Sequence, residues 1–150
     1  MRSVTRALPV ASLLAALAVA AAGVAQGTSG LQPPVVEEQF SALPCPKDPA
    51  ARQTTLGLQG CLGQRILKTD ATINARVRAI FSKLHDDTGR RKLIAAERAW
   101  LSYRELGCRS VADVYRGGSL QPVAYLECVA GRNDVHVGDL AAFLETLKRR

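Results

Sequence analysis

Between Arg52 and Leu84 the apolar residues fall at Leu58, Leu62, Ile66, Ile73, Val77, Ile80, Phe81 and Leu84. This is the three-and-four spacing of one helical face, and it predicts a long first helix. Gly57, Gly60 and Gly63 weaken its first turns, and Asp70 falls on the apolar stripe itself. His85-Asp86-Asp87-Thr88-Gly89 reads as a turn. A second helix is predicted from about Arg90 to Tyr115, with Glu97, Trp100, Arg104, Cys108, Val111 and Tyr115 on its core face. Gly117-Gly118 stops it, Gly117 being suited to a left-handed cap. Ser119 can then cap, and Pro122 is tolerated in, the first turn of a third helix from about Gln121 to Ala130. Gly131-Arg132-Asn133-Asp134 predicts a break, after which Val137, Leu140, Phe143, Leu144 and Leu147 form one more amphipathic face. No run alternates as a strand does, and no internal repeat is visible. The predicted fold class is all-α: a small disulfide-bonded bundle of three to four helices, built on a long antiparallel helical hairpin.

A hairpin that turns near Asp86 and Asp87 sets Asp70 opposite Tyr103 and Arg104, Asn74 opposite Ala99 and Trp100, and Arg76 opposite Glu97. Opposite charges on two core faces must meet, because an unpaired charge in a core is expensive. The expected polar core is therefore Asp70, Asn74, Trp100, Tyr103 and Arg104, with an Asp70–Arg104 pair supplemented by Asn74 or Tyr103. One acid, one amide and one guanidinium neutralise each other, so the cluster reads as a lock on helix register and not as a general acid–base pair. Ser102 and Ser119 have no histidine at an informative spacing, and His85 lies in a polar turn. His136 reads as a surface or cap residue. No catalytic residue, cofactor or enzymatic activity is expected.

The N-terminus changes the picture. Met1-Arg2-Ser3-Val4-Thr5-Arg6 precedes an uncharged run from Ala7 that ends in Gly23-Val24-Ala25, the order of a secretory signal peptide cleaved after Ala25. Residues 1–25 are thus expected to be a signal, residues 26–50 an extended Pro-rich lead-in, and residues 51–150 the helical domain, with no stable membrane span once the signal is removed. The chain has 20 basic and 13 acidic residues; without Arg2 and Arg6 the balance is 18 against 13, a formal +5. The basic residues are dispersed and lack interleaved aromatics, which argues against nucleic acid. Cys45, Cys61, Cys108 and Cys128 all follow the signal, and an even number in an oxidising compartment reads as two disulfides. The favoured pairing is Cys45 with Cys108 and Cys61 with Cys128, with the other two connectivities open. No cysteine or histidine spacing suits a metal.

Cys61, Asp70-Ala71-Thr72-Ile73-Asn74, Ala99-Trp100-Leu101-Ser102-Tyr103-Arg104 with Cys108, Tyr115-Arg116-Gly117-Gly118-Ser119 and Cys128 together resemble the LprI-type lysozyme inhibitor family of secreted or lipid-anchored bacterial proteins. The resemblance runs from about Cys45 to Leu140. Glu97 stands where that family usually has Gln, Val77 where an aromatic residue is usual, and His136 where Arg is common. The resemblance implies a disulfide-bonded helical domain of the periplasm or the secreted fraction, with lysozyme or another muramidase as partner. An inhibitor of that kind would insert a loop into the enzyme's cleft, and Arg116, Gly117, Gly118 and Ser119 are the first candidates, followed by the turn from His85 to Arg91. The alternative is a non-inhibitory envelope module that binds a protein partner or an anionic wall or lipid component, a reading that the positive charge suits better.

Overall fold

The computed structural model describes residues 30–38, 40 and 42–149; the expected signal peptide lies outside them. A one-turn helix α1 (Pro49–Arg52) precedes three long helices, α2 (Thr55–Lys83), α3 (Asp87–Ala112) and α4 (Gln121–Lys148), with a 3-10 turn at Asp113–Tyr115. The all-α disulfide-bonded bundle is as predicted. The first three helices each start at a side-chain cap. Asp48 caps α1 through Ala50 and Ala51, Thr54 caps α2 by accepting from the Gly57 N–H at 3.0 Å, and Asp86 caps α3 through Gly89 at 2.7 Å.

The predicted break in the last helix does not occur. α4 runs unbroken for 28 residues, because Val129, Ala130, Asn133, His136 and Leu140 form one buried stripe across the Gly131–Asp134 segment. A glycine without a following proline weakens a helix by about 1 kcal/mol, less than that burial contributes. Ser119 is not the cap: Leu120 holds that position without a side-chain bond, and Pro122 enters the first turn as expected.

α4 lies against both α2 and α3, while the backbones of the two hairpin arms stay farther apart and are bridged by side chains such as Asp70 and Arg104. The extended lead-in runs along both arms. Asn74 on α2 brackets it, accepting from the Val36 N–H and donating to the Val36 carbonyl, both at 2.8 Å, and Glu38 then reaches Arg104 on α3. Val36 thereby joins Ile73, Val77, Ile80, Leu93 and Leu140 in one apolar cluster, and Ile66, Cys108, Val129 and Ala130 form a second. Of the core face expected on α3, Glu97, Arg104 and Cys108 are buried, but Val111 and Tyr115 are exposed. The stripe drifts, and Ala112 takes the inward position at the helix end.

The cysteines pair as Cys45–Cys61, with Cα atoms 4.3 Å apart, and Cys108–Cys128, at 5.4 Å. The favoured connectivity is therefore corrected. The lead-in folds back on the first turns of α2, leaving Cys45 near Cys61, and α3 and α4 run antiparallel so that Cys108 meets Cys128. The glycines that weaken α2 locally admit this approach. A Cβ on Gly60 would stand 2.5 Å from the Pro44 carbonyl oxygen, and one on Gly63 3.1 Å from the Ala42 Cβ. Replacing Gly60→Ala should lower stability by about 1–3 kcal/mol despite the better helix propensity of alanine. Thermal unfolding checks this, and an unchanged or raised Tm would place the lead-in elsewhere.

Candidate functional site

Between the two apolar clusters lies a polar layer. Arg104 donates from Nη1 to Asp70 Oδ1 at 3.1 Å and to Asn133 Oδ1 at 2.9 Å, and from Nη2 to Glu38 Oε1 at 2.7 Å. Asn133 in turn donates to Asp70 Oδ1 at 2.8 Å and to Thr69 Oγ1 at 2.9 Å. The Asp70–Arg104 pair is where the hairpin register places it, with both side chains buried. Asn74 and Tyr103 do not take part. Asn74 holds the lead-in backbone, and Tyr103 points outward, its hydroxyl accepting from Arg132 and its ring under the Arg132 guanidinium. Glu38 and Asn133 replace them. Asn133 follows Val129 and precedes His136 and Leu140 at helical spacing, a signal that the glycine at 131 obscures; nothing in the spacing of the lead-in marks Glu38.

One guanidinium serves two carboxylates here, Asp70 buried and Glu38 partly buried. Burial lifts the Asp70 carboxyl above its ordinary value, outweighing Arg104 and Asn133. Burial also lifts Glu38, and the neighbouring Asp70 charge adds to the rise while Arg104 opposes it. The arrangement joins lead-in, α2, α3 and α4 at a single point, with Asp70 Oδ2 and Arg104 Nε buried and without a hydrogen-bond partner among the described residues.

A second polar group lies two turns away on α3. Glu97 is buried and meets not Arg76 but His136, at 2.9 Å between Oε2 and Nε2; Arg76 donates instead to the Val137 carbonyl. His136 is buried, contrary to its expected surface position, and stacks on Trp100 with ring centroids 3.8 Å apart. His85 is exposed in its turn.

The end of the bundle beyond the Cys108–Cys128 bridge carries the Arg116–Ser119 turn. The Gly118 N–H donates to the Tyr115 carbonyl at 2.9 Å. Arg116 has φ −53° and ψ 127° and Gly117 has φ +78°, the angles of a type II turn, in which the third residue needs the left-handed region. Gly117 thus fills the conformation anticipated for it, in the turn that follows the helix. Gln121 Oε1 accepts from the Gly117 N–H at 3.1 Å, and Asp113 holds Arg116 at 2.6 Å. Val111, Val114, Tyr115 and Leu120 surround the turn as exposed apolar side chains. Beneath it, the Tyr125 hydroxyl donates to Glu105 at 2.5 Å. Burial and that bond push the Tyr125 pKa up to about 12, and the same bond holds Glu105 below the usual carboxylate range.

The family model described as lysozyme inhibitor LprI matches residues 45–140, a span that takes in both disulfides, the polar layer apart from Glu38, and the exposed turn. This chain belongs to the LprI lysozyme inhibitor family. No curated protein and no solved structure matches it. Its LprI segment begins at Cys45, so Val36 and Glu38, which complete the core, lie before the matched region. Among the described residues no LprI helix is long and apolar enough to cross a membrane, and no cluster of three or more metal-ligating side chains occurs.

Proposed function

We propose that this LprI protein is exported and blocks a lysozyme or related muramidase by seating the Arg116–Ser119 turn in the substrate cleft. The observation that carries the reading is the turn's construction. Three backbone hydrogen bonds and one accepted by the Gln121 side chain fix it, Arg116 stands at its tip, and exposed Val114, Tyr115 and Leu120 flank it. A muramidase cleft presents two carboxyl groups, and a guanidinium is suited to bidentate pairing with a carboxylate. A turn already held in one conformation loses little freedom on docking. The two disulfides support an oxidising compartment.

The formal charge of +5 left once Arg2 and Arg6 are removed with the signal slows encounter with a basic lysozyme, so affinity must come from the local contact and not from steering. Purified protein should protect a cell-wall suspension from lysis in proportion to its concentration. Arg116→Ala should weaken protection by about tenfold or more, equivalent to about 1.4 kcal/mol of lost binding. Its circular dichroism should not change, because the side chain is exposed. Absence of protection by the unaltered protein at molar excess removes the inhibitor reading. Retention on anionic wall polymer at low salt that vanishes at moderate salt would then favour the envelope-module alternative.

A further inference from the structure

Away from the turn, at the opposite end of the bundle, a cavity of about 470 Å³ opens between the α2–α3 connection, α3 and α4. Leu84, Leu93, Leu140 and Phe143 contribute apolar walls, and Glu97 and His136 also line it. These last two are only 4% and 8% exposed, so the cavity has a buried, hydrogen-bonded acid–imidazole pair within an apolar surround. Glu97 uses one oxygen on His136; its other oxygen accepts no bond from the described residues. Asp139 adds a second carboxylate and Lys92 an ammonium group to the lining. Apolar walls with a few converging polar groups are the usual make-up of a small-molecule site.

We infer that this cavity binds a free alkylammonium: a primary amine on a short apolar stem. The walls suit the stem. The Glu97 carboxylate can accept only hydrogen bonds and favours a charged donor, and the excess of carboxylates over ammonium groups selects a cation over an anion in a protein that is otherwise basic. The Phe143 ring at the mouth provides a further face for a cation. Nothing in this site overlaps the Arg116 turn, so binding here and inhibition of a muramidase stand or fall separately.

Trp100 is the only tryptophan of the chain and stacks on His136, which makes its fluorescence a direct reporter. Titration of the full protein with hexylammonium should give a saturable change. Hexanoate and hexanol, at matched ionic strength, should give none in the same range. Glu97→Gln should weaken hexylammonium by about tenfold or more, the scale of one charge-assisted bond. The half-exposed Phe143→Ser should weaken it without risk to the core, and Lys92→Met should strengthen it severalfold by removing the competing cation. Equal responses to amine and alcohol, no saturation, or unchanged binding in Glu97→Gln and Phe143→Ser would overturn the assignment. Tighter binding of N-acetyl-lysine amide than of hexylammonium would give the site to a protein side chain instead and overturn the free amine.

Discussion

Exchanging Arg104→Met should cost about 3–5 kcal/mol at neutral pH, because it strands the buried Asp70 and the partly buried Glu38 carboxylates without their shared cation. For a domain of this size that is a fall in Tm on the order of 10–20 °C. Arg78→Met, an exposed cation on α2, should change Tm by little. The loss at Arg104 should also depend on pH in a definite direction. Both carboxyls have folded pKa values raised by burial. A carboxyl with a raised folded value binds more protons folded than unfolded. Its contribution therefore improves as pH falls through the folded value and levels off below the unfolded one. Removing Arg104 takes away the influence that lowers both groups and widens that window upward. The deficit of the variant should therefore shrink between neutral and mildly acidic pH, as the stranded carboxyls become neutral. Urea unfolding of both proteins across that range measures it. A small deficit, or one that grows on acidification, would mean that Arg104 does not neutralise a buried acidic pair.

Loss of the Cys108–Cys128 bridge should be the second large effect. Its residues are separated by 20 positions and those of Cys45–Cys61 by 16. Restriction of the unfolded chain is then worth about 3 kcal/mol for each, with only about 0.2 kcal/mol between them. The native surroundings differ more. Cys108 is fully buried against Ile66, Val129 and Ala130, whereas Cys45 is exposed. The double variant Cys108→Ala with Cys128→Ala should accordingly lose more stability than Cys45→Ala with Cys61→Ala, since it also leaves unfilled space in a packed cluster. It should weaken protection against muramidase as well, because the bridge joins the last turns of α3 to the first turns of α4, between which the Arg116 turn is held. Equal losses of stability would limit the bridge to its effect on the unfolded chain, and undiminished protection would show that the turn holds its shape unaided.

The parts legible in the chain are those that depend on short spacing. Ile66, Asp70, Ile73, Val77 and Ile80 mark the buried face of α2, and Glu97, Arg104 and Cys108 that of α3, because helical geometry repeats whatever the surroundings. The Asp70–Arg104 pair also follows, since a short connection sets the register of a hairpin. Gly117 is legible for a similar reason: a residue with positive φ is needed where the chain turns back, and glycine supplies it at least cost.

What surrounds the pair was not legible. Asn133 and His136 fall in or just after the break that the sequence predicts, and their burial depends on α4 packing against both arms of the hairpin, which outweighs the weak helix propensity of Gly131. Glu38 lies on an extended segment whose path is set by Asn74 and by the space left between α2 and α3. Disulfide pairing failed for the same reason, since it depends on the direction in which the lead-in folds back. Periodicity, compartment chemistry and the family pattern were thus carried by neighbours in sequence. The completed polar layer, the Glu97–His136–Trp100 group and the bridges arise from contacts between residues tens of positions apart, where many partners are compatible with one pattern and burial selects among them.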